Sequence, residues 1–182
     1  MNIKFKNMKT IEDLKKILLL SDFTELKKAL YEYDICEHDK FGNNILHYYL
    51  LHTKDISLDF KDIINELLGR GISINSKQST GQYQRSCLQI AVILNIRDIF
   101  DFLINRGADV NSTDVNGNSI LSSAIFNYLK DRINYGYYIK VLLDNGANPF
   151  QKNNYGISAY SLVYNLAHDN DVNKYFENIN EE

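Results

Sequence analysis

Between Ser86 and Asn111 the apolar positions fall into two helical stripes. Leu88, Ala91 and Val92 make the first, and Ile96, Ile99, Phe100, Leu103 and Ile104 make the second at i, i+3, i+4, i+7 and i+8. Asn95 separates them, and Gly107 stands where a helix C-terminus adopts left-handed backbone at least cost. The stretch predicts one helix-turn-helix unit, and the unit recurs along the chain. Gly71, Gly107 and Gly146 each close an apolar run, at residues 63–68, 99–104 and 139–143. A second set, Gly42, Gly81, Gly117 and Gly156, precedes the first helix of each unit at separations of 39, 36 and 39 residues. Self-similarity near this period signals stacked repeats.

The residues between the glycines carry a resemblance. Helix starts read Asn44-Ile45-Leu46-His47, Ser86-Cys87-Leu88-Gln89, Ser119-Ile120-Leu121-Ser122 and Ser158-Ala159-Tyr160-Ser161. Helix ends read Gly71-Ile72-Ser73-Ile74-Asn75, Gly107-Ala108-Asp109-Val110-Asn111 and Gly146-Ala147-Asn148-Pro149-Phe150, while Asp39-x-x-Gly42, Asp114-x-x-Gly117 and Asn153-x-x-Gly156 supply turns. Together they resemble the ankyrin repeat, a unit of about 33 residues with a Thr-Pro-Leu-His-x-Ala helix start. The resemblance runs roughly over residues 39–165. It implies an all-α solenoid of stacked helix-turn-helix units with short β-hairpin-like fingers. The expected organisation is a tail at 1–9 and a single repeat domain at 10–182. Within it lie an N-terminal cap pair at 10–38, full repeats at 39–75, 78–111 and 114–150, and a last repeat with C-terminal cap at 153–182.

Local signals refine this frame. Thr10 with Asp13 suits an N-cap, Ile11, Leu14 and Leu18 share a face, and Ser21-Asp22 breaks that helix before Phe23, Leu26, Ala29 and Leu30. The helix start of the first and third repeats lies 27 residues before the closing glycine, against 21 in the second. About six extra residues are therefore expected near 52–59 and near 127–136. The second repeat carries Gln82 to Arg85 where the family has one residue, which lengthens its finger. Such insertions cost little closure entropy, roughly 0.6 kcal/mol per doubling of loop length. Val172, Tyr175, Phe176 and Ile179 suggest a weakly amphipathic last helix, with residues 180–182 frayed. The family's Pro at the helix start is replaced by Ile45, Cys87, Ile120 and Ala159, which forgoes a preset φ there.

Composition narrows the function classes. Of 182 residues, 45% are hydrophobic and 24% charged, normal for a folded domain. A net charge of −3 without a basic stripe argues against a nucleic-acid partner. No secretory signal or membrane span is apparent, and two cysteines, Cys36 and Cys87, make no disulfide scaffold, so the expectation is cytoplasmic with no membrane partner. Asn111-Ser112-Thr113 matches a glycosylation sequon but overlaps the repeat's structural Asn. Phosphate-binding glycine loops, His-Glu-x-x-His and Cys-x-x-Cys are absent, so no catalytic, metal or cofactor residues are assigned and no cofactor is expected. His47 stands at the repeat's His, where the family ties a turn to its neighbour. Cys87 reads as a small buried apolar residue.

The resemblance also implies a partner surface, made of finger tips and inner-helix ends on a concave face. By register these are Lys40, Phe41 and Asn43; Ser79, Thr80, Gln82, Tyr83, Gln84 and Arg85; Val115, Asn116 and Asn118; and Asn154, Tyr155 and Ile157. The helix ends add Leu51 and His52, Ile93 and Leu94, Phe126 and Asn127, and Asn165 and Leu166. Short tips bury little by themselves, and aromatics and Arg dominate interface energetics, so Phe41, Tyr83, Arg85 and Tyr155 lead, with Phe126 behind. Tip aromatics that fold back on neighbouring fingers are the competing reading. The expectation is a non-enzymatic module, monomeric when free, that binds a protein partner, with inhibition of the immunity or effector type as one version. The alternatives are an assembly piece joined through a cap and an enzyme with a cleft at the insertions near His52 and Tyr128.

Overall fold

A computed structural model describes residues 8–20, 22–128, 130–166, 171–177 and 179. They form nine α-helices and one 3-10 turn, in two compact units, Met1–Cys87 and Leu88–Glu182. No sheet forms among the described residues; the fingers contribute only isolated bridges, Lys77 to Ser86 and Thr113 to Ser119. The architecture is all-α.

In the first unit α1 spans Ile11–Leu20, α2 Phe23–Leu30, α3 Ile45–Leu51 and α4 Phe60–Gly69. Each start is capped by the side chain its sequence offers. Thr10 Oγ1 accepts from Asp13 N–H while Asp13 Oδ2 accepts from Thr10 N–H, and Asp22 accepts from Glu25 N–H. Ile11, Leu14, Leu18, Leu26, Ala29 and Leu30 are buried, and α1 packs on both α2 and α3. The eight residues His52 to Asp59 connect α3 to α4, so the first insertion is a loop at the expected place. Residues 1–7 of the expected tail lie outside the described residues, but Lys9 is tied in, its N–H donating to Glu32 C=O at 2.7 Å.

The second unit continues α5, Cys87–Ile93, and adds α6 Arg97–Asn105, α7 Ile120–Tyr128, α8 Arg132–Asp144 and α9 Ala159–Leu166. Asn95 makes the α5–α6 turn with φ +55°, a conformation Asn tolerates better than most residues. Gly107 ends α6 at φ +79°, with Gly107 N–H donating to Ile104 C=O and Ala108 N–H to Leu103 C=O. The same pair of bonds recurs after α4 and α8. This double closure satisfies carbonyls that the helix end leaves open. Asn111, the sequon residue, is structural: Nδ2 donates to Gly146 C=O and Oδ1 accepts from Asn148 N–H.

Two expectations need correction. The insertion near 127–136 is not a loop. Helix α7 is two residues longer than α5, and α8 four longer than α6, which absorbs all six extra residues. Tyrosine hydroxyls explain why the longer α8 is held. Tyr135 donates to Ile93 C=O, Tyr138 to Asn95 Oδ1 and Tyr137 to Asp101 Oδ1, while the Tyr138 ring meets Phe100 edge-on at 4.8 Å. Gly136 sits mid-helix because a Cβ there would lie 2.3 Å from the Tyr175 hydroxyl oxygen. The last helix is in turn a five-residue 3-10 turn, Asp171–Tyr175, followed by buried Phe176. Asp171 anchors it by accepting from Tyr128 O–H at 2.6 Å and meeting Arg132 at 3.5 Å and Lys174 at 2.8 Å. His168, Asp169 and Asn170 lie outside the described residues, as do residues 180–182.

His47 completes a capping box at the start of α3. Asn44 Oδ1 accepts from His47 N–H, His47 Nδ1 accepts from Asn44 N–H, and Nε2 lies 3.1 Å from Ser76 C=O. A carbonyl only accepts, so the ring is the neutral Nε2–H tautomer. Burial pushes its pKa down to about 4. The fold therefore holds the neutral ring against an unfolded value of 6.5, and this stability is complete above that value and lost as pH falls towards 4. Urea titrations at pH 7.5 and 4.5 are expected to differ by roughly 2–3 kcal/mol from His47. His47→Gln, with the side chain α5 carries at Gln89, removes that part of the slope; an unchanged slope contradicts the assignment.

The fingers give a second test. Gly117 and Gly156 share the same backbone, φ +78° and +77°, so a Cβ strains both equally. A Cβ on Gly117 would also stand 3.0 Å from Asn153 Cα and Asn154 N, whereas nothing lies within 4 Å of one on Gly156. Gly156→Ala is expected to cost about 1–2 kcal/mol from the left-handed conformation alone. Gly117→Ala loses a further ~1–3 kcal/mol by overpacking the neighbouring finger, and equal losses in urea unfolding would show that the fingers do not pack as described.

Candidate functional site

The finger turns are built by one side chain each. Asp39 Oδ1 accepts from the N–H groups of Phe41 and Asn43, both at 2.9 Å, and Gly42 N–H closes the turn on Asp39 C=O. Asp114 does the same for Asn116 and Asn118, and Asn153 for Tyr155 and Ile157. Such side-chain-to-backbone bonds are what Asx residues bring to turns. Gly42, Gly117 and Gly156 supply positive φ at the fourth turn position.

The widened second finger uses the same device with a longer arm. Gln78 Oε1 accepts from Arg85 N–H at 3.2 Å, and Gln78 N–H donates to Arg85 C=O at 3.1 Å. The extra methylene of Gln over Asn reaches across the inserted residues. Sequence reasoning missed Gln78, although Gln78-x-x-Gly81 has the spacing of the other three turns.

Adjacent fingers within a unit are laddered. Asn43 Nδ2 donates to Asp39 Oδ2, and Asn43 Oδ1 accepts from Gln78 Nε2 at 2.7 Å. The second unit repeats this, with Asn118 Nδ2 to Asp114 Oδ2 and Asn153 Nδ2 to Asn118 Oδ1 at 2.7 Å. Backbone rungs run beside these, Ser79 N–H to Gly42 C=O and Asn154 N–H to Asn116 C=O. Burial pushes the Asp39 carboxyl up, but Lys15 at 2.8 Å and the bonds from Asn43 and Phe41 outweigh it and hold the pKa below the ordinary value. Asp39 is therefore an ionised, fully committed turn anchor.

The expected contact residues separate on this geometry. Phe41 is 61% and Tyr155 73% exposed, and Lys40, Tyr83, Val115 and Ile157 also face solvent, while the amides of Phe41, Tyr155 and Ile157 are held by the turns. Lys40 and Phe41 share neighbouring fingers with Tyr83, Gln84 and Arg85 in the first unit, as Val115 and Asn116 do with Tyr155 and Ile157 in the second. Asn43 and Asn118 are corrected: one is buried, the other half-buried, and both spend their amides on the ladder, so neither is free to meet a partner. His52 lies at the far end of α3 from the finger, stacked on Tyr48 at 4.3 Å and 3.3 Å from Asp55. Phe126, near the end of α7, is 65% exposed, and Leu51 and Leu94 are exposed too. The side chains of Asn165 and Leu166 lie outside the described ones.

Other chemistry is spoken for. Cys87 is wholly buried and its thiol is pushed up to about 12 by that burial. Tyr128, beside the expected cleft, is buried in helix with its hydroxyl donating to Asp171. Among the described residues no three His, Cys, Asp or Glu side chains are grouped to hold a metal ion, and no helix is long and apolar enough to cross a membrane.

No curated protein matches the chain. The sequence model of the family described as ankyrin repeats (3 copies) matches residues 56–153, just over half of it. That span takes in two of the four left-handed finger glycines, Gly81 and Gly117, all three helix-closing glycines, and the Asp114 turn. The chain belongs to the ankyrin-repeat family.

Proposed function

We propose that this chain is a protein-binding module whose contacts are made by its finger tips, and that it acts by covering its partner. Ankyrin repeats are in general modules of protein–protein interaction. The observation that carries the proposal is that apolar side chains stand exposed on tips whose turns are closed by hydrogen bonds to Asp39 and Asn153. Phe41 and Tyr155 are not folded back under their neighbours, and their backbone amides are held by the Asp39 and Asn153 turns. Binding then orders little additional chain, which is where preorganised surfaces gain affinity. Inhibition is the form of function we favour, because a partner surface covered by rigid tips is occluded.

The test is capture from a lysate of the source cell on the immobilised protein, beside the triple variant Phe41→Ala/Tyr83→Ala/Tyr155→Ala. Exposed substitutions of this kind shift stability by about 0.5 kcal/mol or less each, so the variant stays folded by circular dichroism. A protein retained by the native chain and lost from the folded variant is the expected result, with the captured protein's own activity falling when the chain is added. Retention by the variant would place the contact surface elsewhere.

A further inference from the structure

Neither aromatic tip of the first unit stands alone. The Lys40 ammonium lies 5.0 Å from the Phe41 ring centroid, and the Arg85 guanidinium 3.9 Å from that of Tyr83. These two tips belong to adjacent fingers joined by Ser79 N–H to Gly42 C=O at 2.8 Å and by Gln78 to Asn43 at 2.7 Å. Residues 40–44 and 76–86, which make the two loops, contain Lys40, Lys77 and Arg85 and no acidic residue. The nearest carboxylate in sequence, Asp39, is buried and already accepts from Lys15, Phe41 and Asn43.

The arginine is the informative member. Arg70 meets Glu66 at 2.9 Å, Arg132 meets Asp171 at 3.5 Å and Arg97 meets Asp101 at 4.0 Å. Among the described residues Arg85 forms no ion pair, and its buried Nε has no hydrogen-bond acceptor. The Tyr83 face holds the guanidinium in place without neutralising it. A buried donor without an acceptor is costly, and an Arg fork is matched best by a carboxylate. The second unit's fingers differ: over the matching residues 115–119 and 151–158 they carry one cation, Lys152, and no arginine.

The geometry points to an acidic polypeptide segment as the occupant of the first unit's fingers, its carboxylates meeting Lys40 and Arg85 and its apolar atoms lying on Phe41 and Tyr83. This rests on the reading that the fingers bind protein and adds the partner's chemistry. A nucleic acid is the other polyanion that stacks on aromatics. The overall charge of −3 disfavours it, since three cations in these loops give a small electrostatic footprint.

The experiment selects random short peptides displayed on phage against the full chain, then measures synthetic copies of the enriched peptides by fluorescence anisotropy. They are measured on the native chain, on Lys40→Gln/Arg85→Gln and on Tyr155→Ala/Ile157→Ala. The expected result is enrichment of Asp and Glu by about twofold or more. Affinity falls about tenfold in the first variant, changes little in the second, and weakens steeply with salt on the native chain, a readout that needs no variant. Enriched peptides without acidic bias, no salt dependence, or no enrichment at all would overturn the inference. Peptides lost only from the second variant would overturn it while leaving the finger-binding reading intact, and peptides indifferent to both variants would remove both. A labelled oligothymidylate that binds the native chain more tightly than the peptides, and loses that binding in the first variant, would reassign the surface to nucleic acid.

Discussion

One side-chain oxygen accepting two backbone N–H groups is the interaction on which the fingers depend. At Asp39, Asp114 and Asn153 it folds a tip of four residues that has no strand partner of its own. Without that acceptor two N–H groups per tip would turn to water, and the glycine's positive φ would have nothing to hold it. Because the turn is closed by the Asx side chain and the glycine amide, the side chains at the tip are released for other uses. Exposed Phe41, Val115, Tyr155 and Ile157 follow from it.

The ladder between tips depends on the same atoms. A carboxylate can only accept, so Asp39 and Asp114 take the amide hydrogens of Asn43 and Asn118 and leave those residues' carbonyl oxygens facing the next finger. That next finger must then offer a donor, and it does so through an amide, Gln78 in the first unit and Asn153 in the second. The alternation of acid and amide is thus a directional chain of hydrogen bonds, and Lys15 balances the charge at the Asp39 end. The close approach that the ladder requires is also why Gly42 and Gly117 tolerate no Cβ: at Gly42 one would meet Thr80 N at 2.3 Å.

Much of this was legible in the sequence because it is local. The apolar stripes, the helix-closing glycines and the Asx turns each need only a few neighbouring residues, and they appear where spacing put them. What was not legible is what distant residues decide. Gly136 and the length of residues 127–136 suggested a loop, but three tyrosine hydroxyls reach back to Ile93, Asn95 and Asp101, and Tyr175 occupies the space above the glycine. In the candidate site, register alone could not separate Asn43 and Asn118, which spend their amides on the ladder, from Phe41 and Tyr155, which point outwards. Nor could it show that Arg85 lies over Tyr83, since the intervening Gln84 takes a left-handed backbone, φ +50°, that no residue type there announces.

The central claim is that the tips are rigid before a partner binds. Native-state amide hydrogen exchange followed by NMR reads it residue by residue. The amides of Phe41, Asn43, Asn116, Asn118, Tyr155 and Ile157, together with the rungs Ser79 and Asn154, are predicted to exchange at least about tenfold more slowly than unstructured chain, although they lie on surface loops. Exchange at unprotected rates at these amides, while the neighbouring helices remain protected, would contradict the account.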